Sequence, residues 1–156
     1  MKYRNDLAKK KVSEVRHLII ASPSSISGDA DMKELMYKMN EDLRTRHVYV
    51  VDKENKLTGS IRMNAIVQYL FPYCAILTPG ITISSDLTPN LFATKVSEFM
   101  RKNPFFVKED YTLEECANIF ISEKINELPV VTDDMTLIGQ ISMHEIIKDY
   151  KNFFTE

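Results

Sequence analysis

The sequence predicts an α+β fold built from two β-α-β-β-α repeats, and two observations lead to that prediction. The stretch VYVVDKENKLTGSIRMNAI, from Val48 to Ile66, returns 80 residues later as LPVVTDDMTLIGQISMHEI, from Leu128 to Ile146. Further upstream, KVSEV at 11–15 is matched by KVSEF at 95–99. A register that holds through four successive elements indicates an internal duplication rather than a chance echo.

Each copy contains a first helix whose apolar residues recur at helical spacing. Asp31 and Thr112 stand directly before these stretches, where N-cap residues are expected. A short extended piece around Ile26 or Val107 precedes each helix. The apolar positions are Met32, Leu35, Met36, Met39 and Leu43 in the first copy and Leu113, Cys116, Ala117 and Phe120 in the second.

A hairpin and a second helix complete each copy. Two β-rich runs enclose a polar turn, DKENK between 48–51 and 57–62 and TDDMT between 128–132 and 137–142. A second apolar-periodic stretch then begins at Met63 or Met143. A unit of about 55–60 residues is too small to cover both helices by itself. We therefore expect the two copies to pack sheet to sheet with pseudo-two-fold symmetry.

The predicted domain boundaries are 1–71 for the first repeat with its N-terminal segment, 72–94 for a linker and 95–156 for the second repeat. The linker contains Pro72, Pro79, Gly80 and Pro89, which exclude one continuous helix. A connection of this length is compatible with a plain crossover or with a lid or interaction surface. The sequence alone leaves both interpretations open.

Composition excludes several classes of partner. Hydrophobic residues make up 44% and charged residues 27% of the chain, as in ordinary folded proteins. The formal net charge of −2 provides no field for nucleic acid, and no apolar stretch approaches the roughly 20 residues of a membrane helix. Cys74 and Cys116 show no disulfide or metal pattern, which is typical of free thiols in a reducing compartment. We expect a cytoplasmic protein with neither nucleic-acid nor membrane partners.

No catalytic or metal-binding motif accompanies these features. The stretch from His144 to Lys148 begins like the HExxH helix of zinc proteases, but Lys148 replaces the second ligand. The glycines form neither a P-loop nor a dinucleotide fingerprint, and no nucleophile elbow is present. The sequence therefore indicates a protein that is not an enzyme and requires no cofactor.

The tandem hairpins, each followed by a helix, resemble the cystathionine-β-synthase (CBS) domain, whose pairs form Bateman modules. The ending LPVV…LIGQISMHEI carries the resemblance, which covers about residues 11–71 and 95–154. It implies a soluble regulatory sensor that binds AMP, ADP, ATP or S-adenosylmethionine in clefts between the paired sheets. It also implies a homodimer formed through helices and signalling to an effector protein.

In the second copy, Ser142 and Glu145 stand where the family has a hydroxyl residue and, three residues later, an aspartate. A hydroxyl at a strand end and a carboxylate in the next helical turn lie close together, and the carboxylate can accept both ribose hydroxyls. An acidic residue stabilised by the helix dipole is the competing interpretation. The resemblance further places the purine beside Val107, with one of Phe105 and Phe106 lining the slot and the other entering the core, since strand neighbours point oppositely. Leu128 and Pro129 are expected to form its other wall. Simple packing is an equally good interpretation of Phe105, Phe106, Leu128 and Pro129.

The first copy departs from the family pattern. Arg62 occupies the hydroxyl position, Ala65 the carboxylate position and Tyr49 the proline position. Without the carboxylate no ribose contact is expected, but Arg62 and Arg46 are able to face a phosphate. Solvated surface is the alternative for both arginines. The first-copy site therefore favours a second reading, a dimerisation or docking module that binds no nucleotide.

Assembly is predicted from apolar residues that fall outside the stripe each helix turns to its sheet. Burial of a contiguous outer patch favours a homodimer that pairs helix to helix. The residues expected on the outer side are Tyr69, Phe71, Ile121, Ile125, Phe153 and Phe154.

Overall fold

The computed structural model describes residues 6–72, 90 and 92–151. Cys74, most of the predicted linker, Phe153 and Phe154 lie outside the described residues. The strands are β1 (Ile19–Ile20), β2 (Ser25–Ser27), β3 (His47–Val51), β4 (Leu57–Arg62), β5 (Val107–Lys108), β6 (Glu127–Val131) and β7 (Leu137–Ser142). The helices are α1 (Met32–Asn40), α2 (Met63–Leu70), α3 (Val96–Phe99), α4 (Leu113–Glu123) and α5 (Met143–Lys151), with 3₁₀ turns at Val12–Glu14 and Arg16–Leu18.

The chain divides into two compact units, each with its own sheet. Unit 1 contains Met1–Pro23 and Phe105–Glu156, and its strands are ordered β1-β7-β6-β5. Unit 2 contains Ser24–Pro104, and its strands are ordered β2-β3-β4. In both, the hairpin strands are antiparallel and the short strand before the first helix pairs in parallel. The predicted α+β class is confirmed, with one sheet in each unit.

The segment that leads each repeat lies in the unit built around the other repeat. In unit 1, the KVSEV segment hydrogen-bonds to the second repeat, with Val12 N–H donating to Tyr111 O at 2.8 Å. In unit 2, the KVSEF segment does the same to the first repeat, with Val96 N–H donating to Ala30 O at 2.9 Å. The repeats along the sequence and the compact units in space therefore have different boundaries.

The predicted N-caps of α1 and α4 are confirmed as capping boxes. Glu34 N–H donates to Asp31 Oδ1 at 2.8 Å while Asp31 N–H donates to Glu34 Oε2 at 2.9 Å. Thr112 and Glu115 exchange the same pair of bonds at the start of α4. These reciprocal bonds satisfy backbone donors that the first helical turn leaves open. The prediction is wrong for Leu43, which was counted among the apolar positions of this helix. Because α1 ends at Asn40, Leu43 lies beyond it and is exposed.

Each unit has its own apolar core, which takes one face of the first helix and alternate residues of the hairpin. Cys116 is fully buried in the unit 1 core and is not in a disulfide, as the sequence predicts. The central members are Val12, Val15, Leu18, Val107, Leu113, Phe120, Ile125, Leu128, Val130 and Ile141 in unit 1, and Met32, Leu35, Met39, Val48, Val50, Ile61, Ile66, Val96 and Phe99 in unit 2.

The two hairpin turns have the same backbone geometry. Asn55 and Met135, at equivalent positions of the repeats, have positive φ of 62° and 69°. Both hairpins also shift register at the same place, between Val50 and Val51 and between Val130 and Val131. Asparagine adopts the left-handed region readily, whereas methionine does so at a cost.

The predicted outer residues separate into two groups. Ile121 is 73% and Phe71 58% exposed, as expected. The prediction is wrong for Ile125, which is buried in the unit 1 core because α4 ends at Glu123 and the chain turns inward. It is also wrong for Tyr69, which packs edge-to-face on Phe99 at 5.4 Å and donates its hydroxyl to Ala93 O. Within the described residues, no helix has the length and apolar character needed to cross a membrane.

Candidate functional site

The hairpin of unit 1 has one face in the core and one face turned away from it. Leu128, Val130 and Ile141 enter the core. Because side chains alternate along a strand, their neighbours lie on the opposite face. We call the hairpin side that points away from the core the unit 1 face. Its four residues are buried and pair across the strands, Glu127 with Ser142 and Pro129 with Gln140.

Ser142 and Glu145 come together where β7 passes into α5. The Ser142 Oγ accepts a hydrogen bond from the Glu145 backbone N–H at 3.2 Å, which is the geometry of an N-cap. Met143 N–H donates to Asn126 O at 2.9 Å and thereby fixes the start of the helix against the start of β6. The bond to Glu145 uses only one of the two lone pairs of the serine hydroxyl.

The Glu145 carboxylate is partly shielded and has one cationic neighbour. Its side chain is 23% exposed, and Oε2 lies 3.7 Å from the Nζ of Lys148 on the next turn. The lysine is 69% exposed, so this ion pair is worth little in water. Glu145 is thus held at the first turn of α5 with its carboxylate accessible from solvent.

The residues expected to line a purine slot do not share one face. Val107 and Leu128 are fully buried in the unit 1 core, and Phe105 packs against the same core. Phe106 is half-buried and lies outside that core cluster, in line with the expected opposition of the two phenylalanines. Pro129 shares the unit 1 face with Ser142. Leu128 is the neighbour of Pro129 on β6, so its side chain points to the opposite face. Only the backbone of Leu128 can therefore contact a ligand on the unit 1 face.

Unit 2 has an equivalent face with different chemistry. We call it the unit 2 face, and its cross-strand partners are His47 with Arg62 and Tyr49 with Ser60. His47 and Tyr49 are buried and stack with ring centroids 6.3 Å apart.

The backbone of Arg46 and the N-cap residue Arg62 both adjoin the start of α2. The Arg46 carbonyl accepts a bond from Met63 N–H at 3.0 Å, and Arg62 is the N-cap residue of α2. Ala65, in the position of Glu145, packs against the unit 2 core. Arg44 pairs with Asp42 at 3.2 Å, and its hydrogen bonds lower the pKa of that carboxyl. Unit 2 therefore has Arg62 and Ala65 where unit 1 has Ser142 and Glu145.

The sequence analysis did not single out Glu127 and His47. Each opens the first hairpin strand of its unit and faces the last residue of the second, Ser142 or Arg62. The sequence does contain a signal for them. Glu127 and His47 directly precede Leu128 and Val48, and strand alternation puts them on the face away from the core.

Other reactive groups contribute no further site in the described ranges. Burial raises the pKa of the Cys116 thiol to about 12, which keeps it protonated and unreactive at neutral pH. No group of three histidine, cysteine, aspartate or glutamate residues within that part of the chain is arranged to hold a metal ion.

Two stretches of the chain, residues 12–72 and 96–152, match the family model described as CBS domain. The chain belongs to the CBS domain family. The two matched stretches are the two repeats identified above, so the chain is a CBS domain pair.

Relatives and solved structures agree with this assignment. Inosine-5'-monophosphate dehydrogenase of Aquifex aeolicus is 30% identical over 96% of this chain, which spans only 28% of that enzyme. A CBS domain-containing protein from Thermotoga maritima has a similar structure, with a TM-score of 0.73 and 27% identity over 92% of this chain and 96% of that one.

Two further CBS structures show the same fold at lower identity. The CBS domain pair of protein MJ0100, in complex with 5'-methylthioadenosine and S-adenosyl-L-methionine, has a TM-score of 0.67 and 18% identity, covering 87% of this chain and 98% of that one. CBSX2, in complex with AMP, has a TM-score of 0.70 and 15% identity, covering 92% and 97%.

Proposed function

We propose that this CBS domain pair is a regulatory module that binds an adenosine ligand and signals to a partner protein. The observation that carries the proposal is the pairing of Ser142 and Glu145 at the start of α5. The complexes of MJ0100 with S-adenosyl-L-methionine and of CBSX2 with AMP support adenosine compounds as the ligand class. AMP, ADP, ATP and S-adenosylmethionine are the candidates.

The chemistry of the site follows from the two side chains. A carboxylate accepts hydrogen bonds from both ribose hydroxyls, and a hydroxyl beside it donates or accepts one more. Pro129 supplies an apolar surface on the same face as Ser142, and half-buried Phe106 is available to a purine ring. In this assignment Glu145 selects the ribose, while the purine is held by shape and apolar contact.

The proposed role is non-catalytic and requires no cofactor, and the proposed output is a signal to an effector protein. We assign the module to the cytoplasm, where adenosine ligands and a free buried thiol such as Cys116 are both expected. Exposed apolar side chains on the helices, Val67 and Leu70 on α2 and Ile121 and Ile147 on α4 and α5, support a homodimer.

A dimerisation or docking module without nucleotide binding is the second candidate. It is favoured by unit 2, where Ala65 stands in place of a carboxylate and Arg62 in place of a hydroxyl. The same exposed helix residues would then serve a protein partner alone.

A ligand screen separates the two candidates. The purified chain is melted in the presence of AMP, ADP, ATP, S-adenosylmethionine and NAD, and positive results are titrated by calorimetry. A ligand that binds the native state raises the melting temperature in proportion to the logarithm of its concentration over Kd. Stabilisation by at least one adenosine compound at millimolar concentration or below, weakened in Glu145→Ala, supports the sensor. Silence in both measurements leaves the docking module.

A further inference from the structure

The unit 1 face and the unit 2 face carry different charge at equivalent positions. Glu127 of unit 1 corresponds to His47 of unit 2, and each lies directly across the hairpin from the residue that begins the following helix segment. That partner is neutral Ser142 in unit 1 and cationic Arg62 in unit 2. Directly opposed residues on one face have Cβ atoms about 4.5–5.5 Å apart, so each pair acts on one ligand position.

Neighbouring groups strengthen the contrast. In unit 1, Glu145 adds a second carboxylate, which the exposed Lys148 offsets only weakly. In unit 2, Ala65 provides no carboxylate, so that Arg62 is the charged group at the start of α2 on this face. Unit 1 is therefore acidic where unit 2 is basic.

Burial gives the carboxylate of Glu127 weight. Glu127 is 7% exposed, and a charge interacts more strongly in such surroundings than in open water. Glu127, His47 and Arg62 each already take part in an interaction, so a ligand group must exchange with an existing partner. A phosphate makes that exchange favourably with a guanidinium and unfavourably beside a carboxylate.

We propose that the two faces select adenosine ligands of different charge, an inference that rests on the proposed function. Glu127 directs the unit 1 site to adenosine ligands without phosphate, including those with a cationic sulfonium. His47 and Arg62 direct the unit 2 face to adenosine phosphates. Glu127 is thus a specificity-determining residue, and the chain reads two ligand classes rather than one.

Calorimetric titration of the full chain with AMP and S-adenosylmethionine tests the proposal. We expect AMP to bind equally well to protein already saturated with S-adenosylmethionine. Glu127→Gln should weaken S-adenosylmethionine about tenfold and leave AMP within about twofold, because it removes a charge-assisted contact from one face alone. Arg62→Gln should do the reverse. Glu54→Gln, in the exposed turn of the unit 2 hairpin, is the control for loss of one negative charge.

Glu127→His is a second variant, since it gives unit 1 the residue that stands in unit 2. We expect it to gain a second AMP per chain, a result that loss of folding does not produce. Two results overturn the charge selection but not the proposed adenosine sensor. One is competition between AMP and S-adenosylmethionine, and the other is that Glu127→Gln and Arg62→Gln change the affinities for both ligands equally. If neither AMP nor S-adenosylmethionine binds the wild-type chain, the proposed function is overturned as well.

Discussion

Gly139 of β7 lies against the backbone of Ile20 in β1, so closely that a Cβ at 139 would stand 3.2 Å from the Ile20 carbonyl oxygen and collide with the Ile19 side chain. Unit 2 repeats the contact, because a Cβ at Gly59 would meet the Met100 side chain and stand 3.0 Å from Arg101 O. The glycine common to both repeats therefore marks the place where the segment leading the other repeat crosses the hairpin.

Gly139→Ala should destabilise the protein by about 1–3 kcal/mol, because the added methyl group must displace a paired strand. Gly28→Ala is the matched control, since its Cβ would make ordinary contacts at 3.5 Å with Ser97 and 3.6 Å with Val50. Urea unfolding of the two variants beside the wild type measures the difference. Equal loss of stability in both would show that the close approach is not the cause.

Glu145→Ala should weaken the adenosine ligand of unit 1 about tenfold or more, because charge-assisted hydrogen bonds to the ribose are lost. Glu114→Ala removes an acidic residue from the first turn of α4 in the same unit and should leave Kd unchanged. Isothermal titration of both variants provides the comparison. A Kd for Glu145→Ala that matches the wild type would place the ribose elsewhere.

The chain should form a homodimer through its helices, giving light-scattering masses about twice its 18.0 kDa. Ile121→Asp should shift the equilibrium towards monomer, because a carboxylate is costly in a buried apolar interface. Leu43→Asp is the control, as Leu43 is 83% exposed but lies beyond the end of α1. A mass near 18.0 kDa at all micromolar concentrations would contradict the prediction.

Met135→Asn should stabilise the protein by up to about 1 kcal/mol, because residue 135 has a positive φ that asparagine adopts more readily. The first repeat already has asparagine at the equivalent position, and Asn55→Met should therefore destabilise unit 2 by a similar amount. Thermal unfolding measures both. Opposite signs for the two substitutions are required, and a shift in the same direction would count against the turn geometry as the cause.

Stability should fall at alkaline pH through Cys116. Its folded pKa of about 12 exceeds the ordinary value of 9.0, so the contribution is complete below pH 9.0 and is lost as pH rises towards 12. The expected slope is at most about 1.4 kcal/mol per pH unit. Urea unfolding between about pH 8 and about pH 11 compares the wild type with Cys116→Ala, in which this component of the slope should vanish. If stability falls with pH equally in the wild type and in Cys116→Ala, the thiol is not the cause.

Part of the site could be read from the sequence because it depends on local spacing. Ser142 and Glu145 are three residues apart across a strand-to-helix junction, and such a spacing brings them together in any fold that keeps the junction. Leu128 and Pro129 were assigned to the same wall, yet adjacent strand residues point oppositely and Leu128 lies in the core. Glu127 could not be predicted as a site residue, because its proximity to Ser142 depends on the pairing of two strands.

The repeat, the hairpins with their helices, the N-caps and the core stripes of the helices follow from the amino-acid sequence, because periodicity and capping act over a few neighbouring residues. Three features become visible only in the folded chain: each leading segment joins the unit of the other repeat, Ile125 and Tyr69 turn inward, and Glu127 faces Ser142. These outcomes depend on which distant segments pair, and two repeats with the same apolar pattern give no local signal for the choice of partner.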